Sequence, residues 1–115
     1  MAGRAEFSSN VIVSGGAVVG LNSEYGRLTV GTTAVAVKAG AEAVSARTGT
    51  VLAAHPDNTG YIYLGLDDTV SATNYMMVLP AGQIVTIDID NEVDVPIYAI
   101  ASVADQYMGV CEVKR

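Results

Sequence analysis

The sequence predicts an all-β protein: a small antiparallel β-sandwich or jelly-roll-like domain of roughly seven or eight short strands, preceded by an extended N-terminal arm. Three observations predict it. From Arg27 onward apolar residues recur with period two, the mark of strands with one buried face. Turn-forming clusters, HPDNTG at 55–60 and PAG at 80–82, interrupt the alternation at short intervals. The one helix-friendly stretch, AGAEAVSA from Ala39 to Ala46, is too short and glycine-interrupted to give more than one turn.

Residues 1–26 form the expected arm. MAGRAEFSSN is small and polar without periodicity, and VIVSGGAVVGLNSEYG breaks short apolar pieces with Gly, Ser and Asn. Such a segment lacks the side-chain bulk to offset its ordering entropy by itself, so it is expected to order on a neighbour, for example as an added strand. Residues 27–115 form the domain. RLTV places Leu28 and Val30 on one face, and TAVAVKA sets Val35 and Val37 against Ala34 and Ala36. GTVLAAH is a continuous apolar strand that ends in the HPDNTG turn. YIYLGL puts Ile62 and Leu64 on one side and Tyr61 and Tyr63 on the other. After the polar loop DDTVSATN and a short apolar run, Pro80-Ala81-Gly82 reads as a turn in which glycine supplies positive φ. QIVTIDID directs Val85, Ile87 and Ile89 inward and Thr86, Asp88 and Asp90 outward; PIYAIAS and MGVCEVK complete the set.

The chain has 115 residues, enough for one domain that folds without metals or disulfides. Half the residues are hydrophobic, mostly Ala and Val, and only 16% are charged. A domain this small exposes much of its surface, and few charges are present to cover it. Some apolar surface is therefore expected to be buried against other subunits. A formal net charge of −6 with six scattered Lys and Arg opposes nucleic-acid binding, which needs a basic face. No run is long enough to span a membrane as a helix. Val11 to Leu21 is split by Ser14-Gly15-Gly16, and Arg4 is balanced by Glu6, so a signal peptide is not expected. Cys111 is the single cysteine, so no intrachain disulfide forms; it reads as a small core residue.

Candidate chemistry is sparse. His55, the single histidine, precedes Pro56 at a strand end, where its ring can lean on the turn and Asp57 can cap it. One histidine is too few for a histidine-based metal centre, and no nucleophile pairs with it. Asp88, Asp90, Asn91, Glu92 and Asp94 are oxygen ligands of the kind calcium takes, but their spacing is not that of an EF-hand loop. Asp67 and Asp68 are adjacent and diverge on an extended chain, which suits a turn better than an acid–base pair. No catalytic residue, metal ligand or cofactor is expected, and the chain is not expected to be an enzyme. The six tyrosines against one phenylalanine favour contact surfaces. The expected partner-binding residues are Phe7, Val11, Ile12 and Val13 of the arm, Tyr25, and the patch Tyr75, Met76 and Met77.

The stretch from Thr33 to Val113 resembles small β-sandwich structural proteins of tailed bacteriophages. The resemblance is carried by Asn58 and Gly60, Tyr63-Leu64-Gly65, the turn from Leu79 to Gln83, Tyr98 to Ala101 and the closing MGVCEV strand. In these motifs Gly65 is expected to allow a tight turn out of the Tyr-Leu strand. The resemblance implies a virion structural protein, above all a capsid decoration (cement) protein that binds the outside of a phage head beside the major capsid protein, often as a homotrimer. A tail, baseplate or fibre component is the alternative with the same fold. A carbohydrate-binding module using Tyr61, Tyr63 or Tyr75 as stacking platforms is the alternative of a different class.

Overall fold

A computed structural model describes residues 11–12, 18–19, 23–40, 48–88 and 95–113. Alternation of branched and small side chains gives strands rather than helices, and no helix occurs among the described residues. In chain order the strands are β1 (Val11–Ile12), β2 (Val18–Val19), β3 (Glu24–Val30), β4 (Val35–Ala36), β5 (Gly49–Ala54), β6 (Ile62–Gly65), β7 (Met77–Leu79), β8 (Ile84–Asp88), β9 (Tyr98–Ala101) and β10 (Gln106–Val113). β1 and β2 pair with each other, and the other eight form two four-stranded sheets, β3-β10-β5-β8 and β4-β9-β6-β7. Every ladder is antiparallel.

The pairing is nested. β6 pairs with β7 around the loop 66–76, β5 with β8, β4 with β9 and β3 with β10, first with last. Two more ladders, β5 with β10 and β6 with β9, join these pairs into the two sheets. Connections therefore pass repeatedly from one sheet to the other, and β6–β7 is the one pair joined directly as a hairpin among the eight.

The inward faces bury one common core. Val30, Leu52, Ala54, Met108 and Val110 come from the first sheet, and Ile62, Leu64, Leu79, Ala99 and Ala101 from the second. The period-two expectations hold at Leu28 and Val30, at Val35 and Val37, and at Ile62 and Leu64, which all join this core. Val85 and Ile87 pack against it as expected, while Ile89 and Asp90 lie outside the described residues. Thr86, expected to face solvent, is half-buried, because it lies opposite Val51 on the crowded outer side of the ladder.

Four expectations need correction. The strand expected from Arg27 begins at Glu24, so Tyr25 and Gly26 belong to the sheet, paired with Cys111 and Val110. The alternation was illegible there because Gly26 has no side chain and Tyr25 is exposed; β10 supplies the template. Met77, expected in a contact patch, starts β7 and packs, partly buried, against the core. Gly65 does not make a tight turn. It ends β6, and the Cβ of Val70 stands 2.9 Å from where its own would be, so glycine there admits Val70 over the strand. Cys111 lies outside the main core, in a small cluster with Val51 and Val113 on the outer side of the first sheet.

The turn at Pro80 behaves as expected. Gly82 has φ 82° and the Gln83 N–H donates to the Pro80 carbonyl at 3.0 Å, the geometry of a type II turn.

Candidate functional site

The described residues hold no group of three or more His, Cys, Asp and Glu side chains placed to bind a metal ion. His55 behaves as the sequence suggested, although the capping runs the other way: its Nδ1 accepts from the Asp57 N–H at 3.0 Å. Its ring meets the edge of Tyr107, over which the Arg27 guanidinium stacks 4.5 Å from the centroid.

The loop after β6 is bonded to itself. Asp67 Oδ1 accepts from both the N–H and the hydroxyl of Thr69. Asn74 Nδ2 donates to the Thr69 carbonyl at 3.1 Å, and Ser71 Oγ accepts from the N–H groups of Thr73 and Asn74. A hollow of ≈ 230 Å³ lies beside it, lined by Gly65, Asp67, Thr69, Asn74 and Tyr75 among others. Its polar side chains are already bonded to one another, so they do not converge on a ligand. The Thr69 hydroxyl, and then the Thr69 N–H, hold the Asp67 carboxyl below the ordinary carboxylate range. A group with its folded pKa lowered adds stability above its unfolded pKa and loses it as pH falls through the folded value. An NMR titration of Asp67 should therefore show a midpoint below that of a model aspartate, moving upward in Thr69→Val. An Asp67 midpoint that Thr69→Val leaves in place would show that the hydroxyl bond contributes nothing in solution.

The two outer sheet faces are more distinctive. Tyr75 tilts against Tyr63 at 5.3 Å on the outer side of the second sheet, where Tyr98, Ile100 and Val78 also face outward. Tyr61 and Tyr75 are about half exposed, and Leu66 and Met76 are exposed beside them. On the first sheet the inward positions of β10 are Met108 and Val110, so Tyr107, Gly109 and Cys111 point outward. By register Gly109 lies between Arg27 of β3 and Ala53 of β5, and Cys111 between Tyr25 and Val51. These residues line an open, mainly apolar groove of ≈ 1080 Å³, too large and open for one small ligand. Tyr25 stands at its rim, 77% exposed. Burial pushes the Cys111 thiol up, with the neighbouring Glu112 carboxylate adding to it.

At one end of the core Glu112 is fully buried, and its Oε1 accepts from the Ala39 N–H at 2.8 Å. At the other, Gln106 is buried and its Oε1 accepts from the N–H groups of Thr59 and Gly60 at 2.8 and 2.9 Å. Asn58 stands in for a strand, donating to the Tyr107 carbonyl and accepting from the Tyr107 N–H, both at 2.9 Å.

The expected contact residues are not brought together. Phe7 and Val13 lie outside the described residues, and Val11 and Ile12 pair through their backbones with Val19 and Val18. Tyr25 is on the outer face of the first sheet, whereas Tyr75 and Met76 flank the second. Sequence reasoning missed Arg27, Ala53 and Gly109 as lining of the groove. The available signal was a glycine interrupting the alternation in MGVCEV. Comparison with protein-family models, with curated proteins and with solved structures finds no match to this chain.

Proposed function

We propose that the protein is a non-enzymatic structural subunit that works by adhesion. On the resemblance of Thr33–Val113 to phage structural proteins, it is a decoration protein bound to the outside of a bacteriophage head. The reading includes the fold: first-with-last pairing of eight strands in two sheets is what rolling up one long antiparallel hairpin produces, so we take the domain as a jelly-roll β-sandwich. That architecture occurs in capsid and lectin domains alike, so it supports the reading without deciding it. The observation that carries the proposal is the pair of outer sheet faces, which display exposed Tyr25 and Ile84 on one side and Tyr61, Leu66, Tyr75 and Met76 on the other. Large exposed side chains of this kind favour protein contact, and the low charge content does little to separate them.

The role follows from packing. Such a domain seated across neighbouring shell subunits buries apolar area at each contact and raises the shell's resistance to rupture. Residues 1–22, which precede β3, are the proposed docking arm, with the major capsid protein as the proposed partner. Purified protein added to undecorated heads should bind saturably, and a chain starting at Ser23 should bind more weakly with its folding transition unchanged. Absence of saturable binding would sink the decoration reading, and full binding by the shortened chain would sink the role of the arm.

A further inference from the structure

We propose that the outer groove of the first sheet is a self-association site, in which Tyr25 of each of two copies of this chain seats in the Gly109–Ala53 trough of the other. The inference rests on the groove alone and does not depend on the virion reading.

The starting point is a glycine the fold does not require. Gly109 is in the middle of β10, the strand hydrogen-bonded to both β3 and β5. It has no positive φ; Gly82 alone does among the described glycines. A Cβ built on Gly109 would approach nothing closer than the Ala53 carbonyl oxygen at 3.8 Å, an ordinary contact. Glycine inside a strand loses more backbone entropy than alanine on folding and adds no packing, a cost of about 0.5–1 kcal/mol. Neither backbone geometry nor crowding explains its presence. A close approach from outside the sheet does, since only there is the missing side chain an advantage.

The trough it makes is specific in shape. Its floor is the backbone at Gly109 and the methyl group of Ala53, paired in register, and it ends at Val51, which is already buried against Val113 and Cys111. Tyr25 lies directly beside Cys111 on β3, on the same face and two residues along from the trough. A protruding tyrosine next to a small-residue trough on one face is self-complementary. A two-fold axis lying in the plane between two such faces fills both troughs at once and closes the assembly. Charge agrees. Arg27 is the one charged side chain at the outward positions of β3, β10 and β5, in a chain with net charge −6. Glu24 also lines the groove, so the face carries a cation and a carboxylate that a two-fold can set against each other, and each Arg27 is already stacked on its own Tyr107. Three strands at about 4.8 Å spacing and six residues of length give a footprint on the order of 15 by 20 Å. That is small for a stable interface, so the dimer is expected to dissociate on dilution. A trimer would need a heterologous, head-to-tail contact in place of this isologous one.

The test uses the full chain in solution. Sedimentation velocity over a concentration series should show a monomer–dimer equilibrium, and alkylation of Cys111 by a maleimide should slow as the dimer fills. Gly109→Val should keep or raise the melting temperature while weakening dimerisation by about 10-fold or more, a shift of ~1.4 kcal/mol. Tyr25→Ala, at an exposed position, should weaken it similarly without loss of folding. A monomer at every concentration would overturn the proposal. So would a dimer or trimer indifferent to both substitutions. Dilution-independent protection of Cys111 would show the groove covered within one chain, and would overturn it too.

Discussion

Gly26→Val is expected to lower the unfolding free energy by about 3 kcal/mol, the upper end of ordinary overpacking costs. The site explains the size. Gly26 is in β3 at an inward position, and a Cβ there would stand 2.5 Å from the backbone carbonyl oxygen of Ala39. A backbone atom cannot rotate away as a side chain can, so the segment holding Ala39 must lift. Ala39 is also the residue whose N–H is bonded to the buried Glu112 carboxylate. Lifting it leaves the fully buried Glu112 side chain with one donor fewer, in a strand where the hydroxyl of Thr50 opposite has no hydrogen-bond partner among the described residues. Some of the loss is offset, because valine favours strands and glycine does not. Chemical denaturation should show the midpoint falling with an unchanged slope. A midpoint within ~0.5 kcal/mol of wild type would mean that the 39–40 segment does not hold this position in solution. The contrast with Gly109→Val is informative. The two glycines are one step apart across the β3–β10 ladder, where Gly26 is paired with Val110. One faces a carbonyl and the other faces open space, so the same substitution should have opposite signs.

Much of the fold was readable because period two survives wherever an inward position carries a branched or long side chain. Leu28 and Val30, Val35 and Val37, and Ile62 and Leu64 all face the common core as the alternation required. Legibility failed where that signal is thin. Gly26 erased it at the start of β3. Met77, read as contact surface in TNYMM, proved inward because β7 pairs with β6 for only three residues, too short for alternation to register. The sheet order was not legible, since first-with-last pairing is set by contacts between residues as distant as Glu24 and Glu112. The candidate surface was half legible. Tyr25 and Tyr75 were singled out from composition and are exposed, but the groove beside Tyr25 is made of what is missing, at Gly109, and of what is small, at Ala53. Absent side chains leave no hydrophobic periodicity to read.

The residues that tie the sheets together were also silent, and they carry the second large effect. Gln106→Ala is expected to cost about 3 kcal/mol, close to the loss from Gly26→Val, although it removes only one side-chain amide. Gln106 is 4% exposed, and its amide is used at both ends. Its oxygen accepts from the Thr59 and Gly60 N–H groups, and its nitrogen donates to the Ala104 carbonyl at 2.9 Å. It thereby joins the turn leaving β5 to the turn entering β10, the place where the chain passes between the sheets. Alanine removes these bonds together and leaves a space where a buried side chain stood; the half-buried Gly60 N–H loses its partner, and an unmade bond to a buried group costs more than a made one contributes. For a domain of this size the melting temperature should fall by roughly 12 °C or more. Gln106→Glu separates the two ends of the amide. It keeps an acceptor for Thr59 and Gly60 but sets a carboxylate against the Ala104 carbonyl, which favours the protonated acid. A folded pKa raised in this way gives stability that is present below the unfolded pKa and lost as pH rises. The Glu variant should therefore approach wild-type stability on acidification, while the Ala variant should keep its deficit at every pH. If both variants melt within a degree or two of wild type, the amide does not hold the two turns, and the bonds of Asn58 to Tyr107 must hold them alone.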